Sequence, residues 1–521
     1  MWIERAALAT ELPAAAALAT RELAELLASL GFPVDAVESR EGTDLLDVDI
    51  TANRGDAMSH RGMARDLAAR LKATLAPLTA PPAPEGPAKV AIHLADPGCP
   101  VYATALLTLG PGETPAVVQA FLSALGATPK KLPAVDASNE LLHRYGHPTH
   151  AFDADRIRGA VTVRRAVVGE KLVTLDGVTR ALAAADLVIA DEDGPIALAG
   201  VMGGDGTKVT ETTRRVLLES AWFEPRTVRA SAHRHGLHTD ASQRFGRGAD
   251  PALAPVARDL LVQRLQAWAG ATLEGAWTAG AQPAPAPAVT LTEALLTWIA
   301  GEPLPLAEAA AALVALGCRV TVSPGALAVQ PPTWRHDLAI PEDLAEEVLR
   351  LRGYDRLPSV LPPLEGPPQP LPTEYRHRQV LARRLAHLGF HQTVTYGFVS
   401  PEMDQDEHIP ERFGRPTEED QQGRTLFNPL GREYSILRRS LVPSLVEVAR
   451  QNIQQGQREV RLFEIAPTYR VADGELTPDW TVALLWAGEH WDGDPEVRAL
   501  PVKAKQLIGI LRDVLRKRDS V

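Results

Sequence analysis

Residues 198–206 read Leu198-Ala199-Gly200-Val201-Met202-Gly203-Gly204-Asp205-Gly206, four glycines closing an apolar run. Glycines this dense either cradle an anion on backbone N–H groups or make a tight turn in β-rich chain. The segment lacks the lysine-serine pair of a Walker loop and the spacing of a dinucleotide fingerprint. A strand follows at Val216–Glu219, and strand-like runs precede it at Val161–Ala166 and Leu187–Ala190. These elements predict a mixed α/β domain over about residues 88–277. Glu219 ends an apolar strand, where burying a carboxylate is costly unless a partner or a function compensates.

Working outward, the N-terminal side (1–78) predicts a helix over Leu12–Leu30, with Leu23, Leu26, Leu27 and Leu30 on one side and Gly31 as its stop. A strand over Leu45–Ile50, a turn at Asn53–Gly55 and a helix over Ser59–Leu71 follow. Proline-rich linkers stand at Thr79–Pro87, Gly280–Pro287 and Pro358–Pro372. Between the last two, residues 288–360 predict helices at Leu291–Ile299 and Leu306–Leu316 and strands at Arg319–Val322 and Ala326–Gln330. A helix then starts at Pro341, and the set has a winged-helix-like order. Residues 370–521 predict a helix carrying Val380, Leu381, Leu385 and Leu388, a strand over Thr393–Val399 and a charged surface excursion over Asp404–Gln422. Beyond it come a helix at Leu437–Val448, strands at Val460–Ile465 and Trp480–Trp486, and a helix at Val502–Leu515.

Composition narrows the class. The chain has 521 residues, 45% hydrophobic and 23% charged, as in a folded protein of three to five domains. Cys99 and Cys318 are far apart and expected to be small buried hydrophobes, so neither a disulfide framework nor a metal site is expected. No signal peptide or membrane span is read, and a cytoplasmic location is expected. A formal charge of −11 argues against wrapping nucleic acid over the whole surface. A local basic stretch remains: Arg226 to Arg247 holds five arginines and three histidines against Asp240 alone. It reads either as solvated strand and turn surface or as an anion-binding groove.

Several motifs in fixed order resemble the beta subunit of bacterial phenylalanyl-tRNA synthetase. Pro148-Thr149-His150-Ala151-Phe152-Asp153 is similar to that family's QPMHAFD stretch. Leu175-Asp176-Gly177 resembles TLDG, Leu198–Gly204 resembles LAGVMGG, and His235–Leu237 with Ser242–Asp250 resembles RHGLRTEASHRFERGVD. Leu46–Leu67 is similar to the piece ending GLARDL, and Trp334–Tyr354 to the B5 motif beginning WRxDI. Phe427–Leu430, Leu437-Arg438 and Arg461–Ile465 are similar to the start of the synthetase-like core. The resemblance implies an α+β multidomain chain. Its parts are a B1-like domain (1–78), a B3/B4 editing-type α/β domain (88–277), a B5-type winged-helix-like domain (288–360) and a partial class II synthetase-like antiparallel B6/B7 core (370–521). Two departures stand out. Gly31 and Asn53 are 22 residues apart, too few for the family's inserted oligonucleotide-binding barrel. Gly246 stands where the family has a glutamate, and the chain is expected to be a shortened form or paralogue.

By the same resemblance the chain has no aminoacylation site of its own, needs no cofactor, and partners an alpha subunit and tRNA. The B3/B4 domain would hydrolyse tyrosine mischarged on phenylalanine tRNA. His150 and Glu219 match positions of the editing pocket, Leu198, Ala199, Gly200, Gly203 and Gly204 its wall, and Arg234, His235, Arg244 and Arg247 candidate RNA contacts. A freestanding paralogue, editing in trans or acting as a noncatalytic ligand-binding or homodimerising protein, is the competing expectation.

Overall fold

The structure is a computed structural model. It describes every residue except 41, 79, 362–365, 367–368, 406–416, 473, 491–499, 502–503 and 517–521. Two compact units divide it, Met1–Val360 and Leu361–Val521.

The first unit begins with β1 (Trp2–Glu4), α1 (Arg5–Glu11), α2 (Thr20–Ser29), β2 (Val34–Arg40), β3 (Thr43–Val48) and α3 (His60–Leu71). The helix expected over Leu12–Leu30 is broken. Pro13 opens a separate 3₁₀ turn, and α2 starts only at Thr20, where the Glu22 carboxylate accepts from the Ala19 N–H at 2.9 Å. A β2–β3 hairpin leads from Phe32 towards Asn53, in a sheet of order β1-β3-β2. Leu23, Leu27, Leu46, Val48, Met63 and Leu67 bury between the helices and that sheet. Each fully buried leucine contributes on the order of 2 kcal/mol.

Next come β4 (Ile92–Leu94), β5 (Val101–Thr108), α4 (Ala116–Ala124), α5 (Pro133–Tyr145), β6 (His150–Asp153), β7 (Val161–Arg165), β8 (Lys171–Val173) and β9 (Thr179–Ala181). They are followed by β10 (Leu187–Ala190), β11 (Pro195–Leu198), β12 (Met202–Gly203), β13 (Arg215–Trp222), α6 (Pro225–Arg234), α7 (Asp240–Arg247), α8 (Leu253–Ala269) and β14 (Thr272–Gly280). Two sheets result, of order β12-β11-β10-β7-β4 and β14-β5-β13-β6. Strand alternation decides what each face packs on. Ala105, Leu107, Val216 and Leu218 meet α5 and α8, while Tyr102, Leu106, Leu217 and Ala221 point towards Val163, Val188 and Leu198 of the other sheet. The stretch Arg226–Arg247, for which strand and turn surface was one of two readings, is the helices α6 and α7. Glu224 caps α6 ahead of Pro225, and Thr239 caps α7 by accepting from the Ser242 N–H at 3.0 Å.

The unit closes with β15 (Val289–Thr292), α9 (Glu293–Ala300), α10 (Leu306–Ala315), β16 (Arg319–Ser323), β17 (Ala326–Gln330) and α11 (Pro341–Arg352). A three-stranded sheet of order β15-β17-β16 packs on the three helices.

The second unit contains α12 (Thr373–His387), β18 (His391–Gln392), β19 (Phe398–Val399), α13 (Pro401–Asp404), α14 (Glu418–Arg424), β20 (Ile436–Leu437) and α15 (Val442–Gln454). Long strands β21 (Glu459–Ala472) and β22 (Glu475–His490) follow, then β23 (Leu500–Pro501) and α16 (Ala504–Arg516). Its sheet runs β18-β21-β22-β23, with a fourteen-pair antiparallel ladder between β21 and β22. The strand expected over Thr393–Val399 is reduced to β19 at its end, and Thr395 instead gives its hydroxyl to the Glu464 carboxylate at 2.8 Å. The excursion expected over Asp404–Gln422 lies partly outside the described residues; Glu418, Glu419 and Gln422 are exposed as expected, but its first residue is not. Asp404 is buried against Arg424, Oδ1 to Nη1 at 2.7 Å, and Asp420 reaches the same guanidinium at 2.8 Å.

Candidate functional site

β13 lies between β5 and β6, and its register fixes a row of polar side chains. Glu219 pairs with Thr104 on one side and His150 on the other, and Thr104 pairs in turn with Trp277 of β14. Paired residues share a face, so Trp277, Thr104, Glu219 and His150 line up across the sheet, towards the second sheet. Thr104 Oγ1 is spent, donating to the Leu218 carbonyl at 2.6 Å. The other three have polar groups left over.

Glu219 is 6% exposed and has no hydrogen-bond or ion-pair partner among the described residues. Burial pushes its carboxyl up to about 8, so it holds its proton at neutral pH. His150 Nε2 is buried without a partner, its ring edge-on to Phe152 at 4.6 Å between centroids. Burial pushes that imidazole down to about 4, leaving it neutral. Two uncharged, unpaired groups that can each give or take a proton thus face each other on adjacent strands.

More unsatisfied groups surround them. Tyr102 Oη, Thr149 Oγ1, Trp277 Nε1 and both ring nitrogens of His147 are buried without partners. His147 is fully buried beside Phe245 and pushed down to about 3 by desolvation. Buried polar groups are nearly always paired, and a concentration of exceptions marks a place built for a polar ligand or water. The sequence reading missed Tyr102, His147 and Trp277. Their types were visible, but only the strand register places Tyr102 and Trp277 on the face of Glu219, and His147 enters from the loop before β6.

The glycine segment resolves as a turn. The Val201 N–H donates to Leu198 O at 3.0 Å and the Gly204 N–H to Ile196 O at 2.8 Å, so these amides close the β11–β12 hairpin and cradle no phosphate. Gly203 touches the site: a Cβ there would stand 2.6 Å from His150 Cε1. Gly200 has φ +68°, and its Cβ would meet Phe223, Val228 and Phe245 at 3.0–3.1 Å. Leu198 and Ala199 are packed core residues beneath the turn, and Gly204 sits against Ile196 and Leu172. The structure therefore joins His150, Glu219 and Gly203 directly and sets Leu198, Ala199, Gly200 and Gly204 behind them.

The four basic residues expected to contact RNA are held within the chain. Arg234 and His235 both bind the fully buried Asp186, His235 Nε2 at 2.8 Å. Arg247 gives Nη1 to Ile50 O at 2.9 Å. Arg244 is 1% exposed, giving Nε to Met58 O and Nη1 to Asp240 Oδ1. The exposed arginines of the stretch are Arg226, Arg229 and Arg234, all on α6, and of these Arg234 is tied to Asp186. Among the described residues no group of three His, Cys, Asp or Glu side chains is placed to hold a metal, and no helix is long and apolar enough to cross a membrane. Cys99 and Cys318 are buried free thiols.

This architecture is that of an aminoacyl-tRNA synthetase subunit. The B3/4 domain matches residues 98–270, the tRNA synthetase B5 domain 289–354, and the phenylalanyl tRNA synthetase beta chain CLM domain 357–520. The chain belongs to the phenylalanyl-tRNA synthetase beta-subunit family. It is 39% identical over 442 residues to the phenylalanine–tRNA ligase beta subunit of Anaeromyxobacter dehalogenans, covering 82% of this chain and 53% of that protein. The same-named protein of Leifsonia xyli is 36% identical, with 81% and 50% covered, and that of Yersinia pestis 34%, with 93% and 61%. The chain thus spans about half the length of the curated relatives it matches. An N-terminal fragment of the phenylalanyl-tRNA synthetase beta subunit from Pyrococcus horikoshii is 15% identical at a TM-score of 0.38, covering 68% of this chain and 99% of that one.

Proposed function

We propose that this chain is a beta-type subunit of phenylalanine–tRNA ligase that hydrolyses tyrosine mischarged on phenylalanine tRNA and leaves amino-acid activation to an alpha subunit. The observation that carries the reading is the pair of buried Glu219 and half-buried His150, opposite each other and neutral, with neither the Glu219 carboxyl nor His150 Nε2 partnered among the described residues. A protonated carboxyl both gives and takes a hydrogen bond, which matches a phenol and leaves a group unpaired against phenylalanine. His150 Nε2, as free base, takes the proton of the attacking water. The water oxygen bonds to the ester carbonyl carbon, the bond from that carbon to the ribose oxygen breaks, and the ribose oxygen leaves with a proton. The fully exposed Phe427 and Leu430 of the second unit support a partner surface there, consistent with an alpha subunit.

The test is deacylation of tyrosyl-tRNA(Phe) by the full chain, alone and co-expressed with the host alpha subunit. His150→Ala is expected to lower kcat/KM about 10²-fold, and Glu219→Ala to erase most of the preference for tyrosyl over phenylalanyl ester. Unchanged hydrolysis in both variants would remove the editing role, and failure to co-purify with alpha would remove the ligase partnership.

A further inference from the structure

Beside α3, flanking its apolar stripe, lies a second site, built from parts the editing reading does not use. A cleft of about 560 Å³ is lined by Arg61 and Arg65 of α3, by Thr74, Leu75 and Leu78 beyond it, by Asp250, Leu253 and Val256, and by Leu316, Thr333 and Trp334. Three parts of one compact unit therefore meet around it.

The cations in the cleft are not equivalent. Arg61 is committed, giving Nη1 to Glu11 Oε2 at 2.7 Å and to the Ala76 carbonyl at 3.0 Å. Among the described residues Arg65 has neither a hydrogen-bond nor an ion-pair partner. Its guanidinium lies over the Trp334 ring, 4.2 Å from the centroid. Gly317 permits that placement, since a Cβ there would stand 2.7 Å from Trp334 Cζ2. A guanidinium stacked by its face keeps its N–H edge free, and that planar fork fits the two oxygens of a carboxylate or phosphate. Enclosure lowers its proton affinity, so an anion meeting it gains from a poorly solvated charge.

Asp56, Asp250 and Asp66 all favour the charged form of Arg65, but among the described residues none lies within ion-pair distance of it. Asp56 and Asp66 are bound to Arg54, and Asp66 also to Arg350. Asp250 accepts from the Ala252 N–H at 2.9 Å. The remaining wall is aliphatic: Leu75, Leu78, Leu253, Val256 and Leu316.

We infer that this cleft binds a small amphipathic anion, its carboxylate or phosphate on the free edge of Arg65 and its apolar body along the leucine wall and Trp334. The site is independent of the editing pocket, and its loss leaves deacylation untouched.

The experiment titrates the full chain with octanoate, octyl phosphate, inorganic phosphate and octanol, followed by calorimetry and ligand-observed NMR. Saturable one-to-one binding of octanoate or octyl phosphate is expected, and whichever is tighter identifies the head group. Inorganic phosphate and octanol are each expected to bind at least tenfold more weakly, since each lacks half of the recognition. Arg65→Met is expected to weaken the tighter ligand about tenfold. Thr74→Trp, at an exposed position on the rim, blocks the cleft without opening the core. Octanol binding as tightly as octanoate would overturn the inference, as would no saturable binding of either octyl anion, or full binding retained in both folded variants.

Discussion

At the scale of single residues, the uncommon feature is Glu219, a carboxyl kept neutral by burial alone. Its folded pKa of about 8 stands above the ordinary value of 4.5. Between those limits the folded chain keeps a proton the unfolded chain has lost, so stability falls as pH rises through the window. The full effect is on the order of 4 kcal/mol. Glu219→Gln keeps the shape and removes the titration. The variant is expected to match the parent near pH 5 and to melt at a higher temperature near pH 8.5, read by differential scanning calorimetry. An identical pH slope in both proteins would show that Glu219 ionises freely. His150 has the opposite sign: its folded pKa of about 4 lies below the ordinary 6.5, so its contribution is complete above 6.5 and is lost as pH falls towards 4. The pair is therefore neutral together near pH 6–7.

Elements were readable where their signals were local. Ser59 ahead of α3, Pro341 at the start of α11 and the apolar run of β13 all lie where the sequence places them. Failures came where tertiary contacts decide. β2 is mostly exposed and charged, so no alternation announces it, and pairing with β3 alone makes it a strand. Helices α6 and α7 carried legible caps in Glu224-Pro225 and Thr239–Ser242, yet their density of arginine obscured the helical period. Gly246 belongs to this scale. It lies inside α7 without a positive φ, and a Cβ there would make an ordinary contact with Arg229 Cβ at 3.7 Å. Gly246→Ala is expected to stabilise the chain by about 0.5–1 kcal/mol by reducing unfolded-state freedom. Urea denaturation checks this, and a lower midpoint would mean that the glycine has a steric role the helix does not show.

At the scale of the molecule, two motifs distant in sequence prove to be one structure. The stretches Leu46–Leu67 and Trp334–Tyr354 were legible as family signatures, but not as partners, because nothing in either alone says what it touches. Arg54, Asp56 and Asp66 of the first meet Arg335, Asp337, Glu347 and Arg350 of the second in a buried network. Asp66 accepts from Arg54 Nη2 at 2.6 Å and from Arg350 Nη2 at 2.5 Å, and Glu347 from Arg335 Nη1 at 2.6 Å. Arg350 Nη1 also reaches the Leu30 carbonyl at 3.1 Å, tying α11 to the end of α2. The arginines hold Asp66 far below the usual carboxylate range and Glu347 near about 2, so the network stays ionised until strongly acid pH. Removing one member leaves the others charged and out of water, a cost of about 3–5 kcal/mol, whereas removing a charge from each side together costs much less. Asp66→Asn and Arg350→Met are each expected to lower the urea midpoint of the first unit by that order, and Asp66→Leu with Arg350→Met to recover much of the loss. Because the pair is buried, raising salt from 0.1 to about 1 M should change these differences little. Additive losses in the double variant would mean that the two stretches pack side by side without sharing a network.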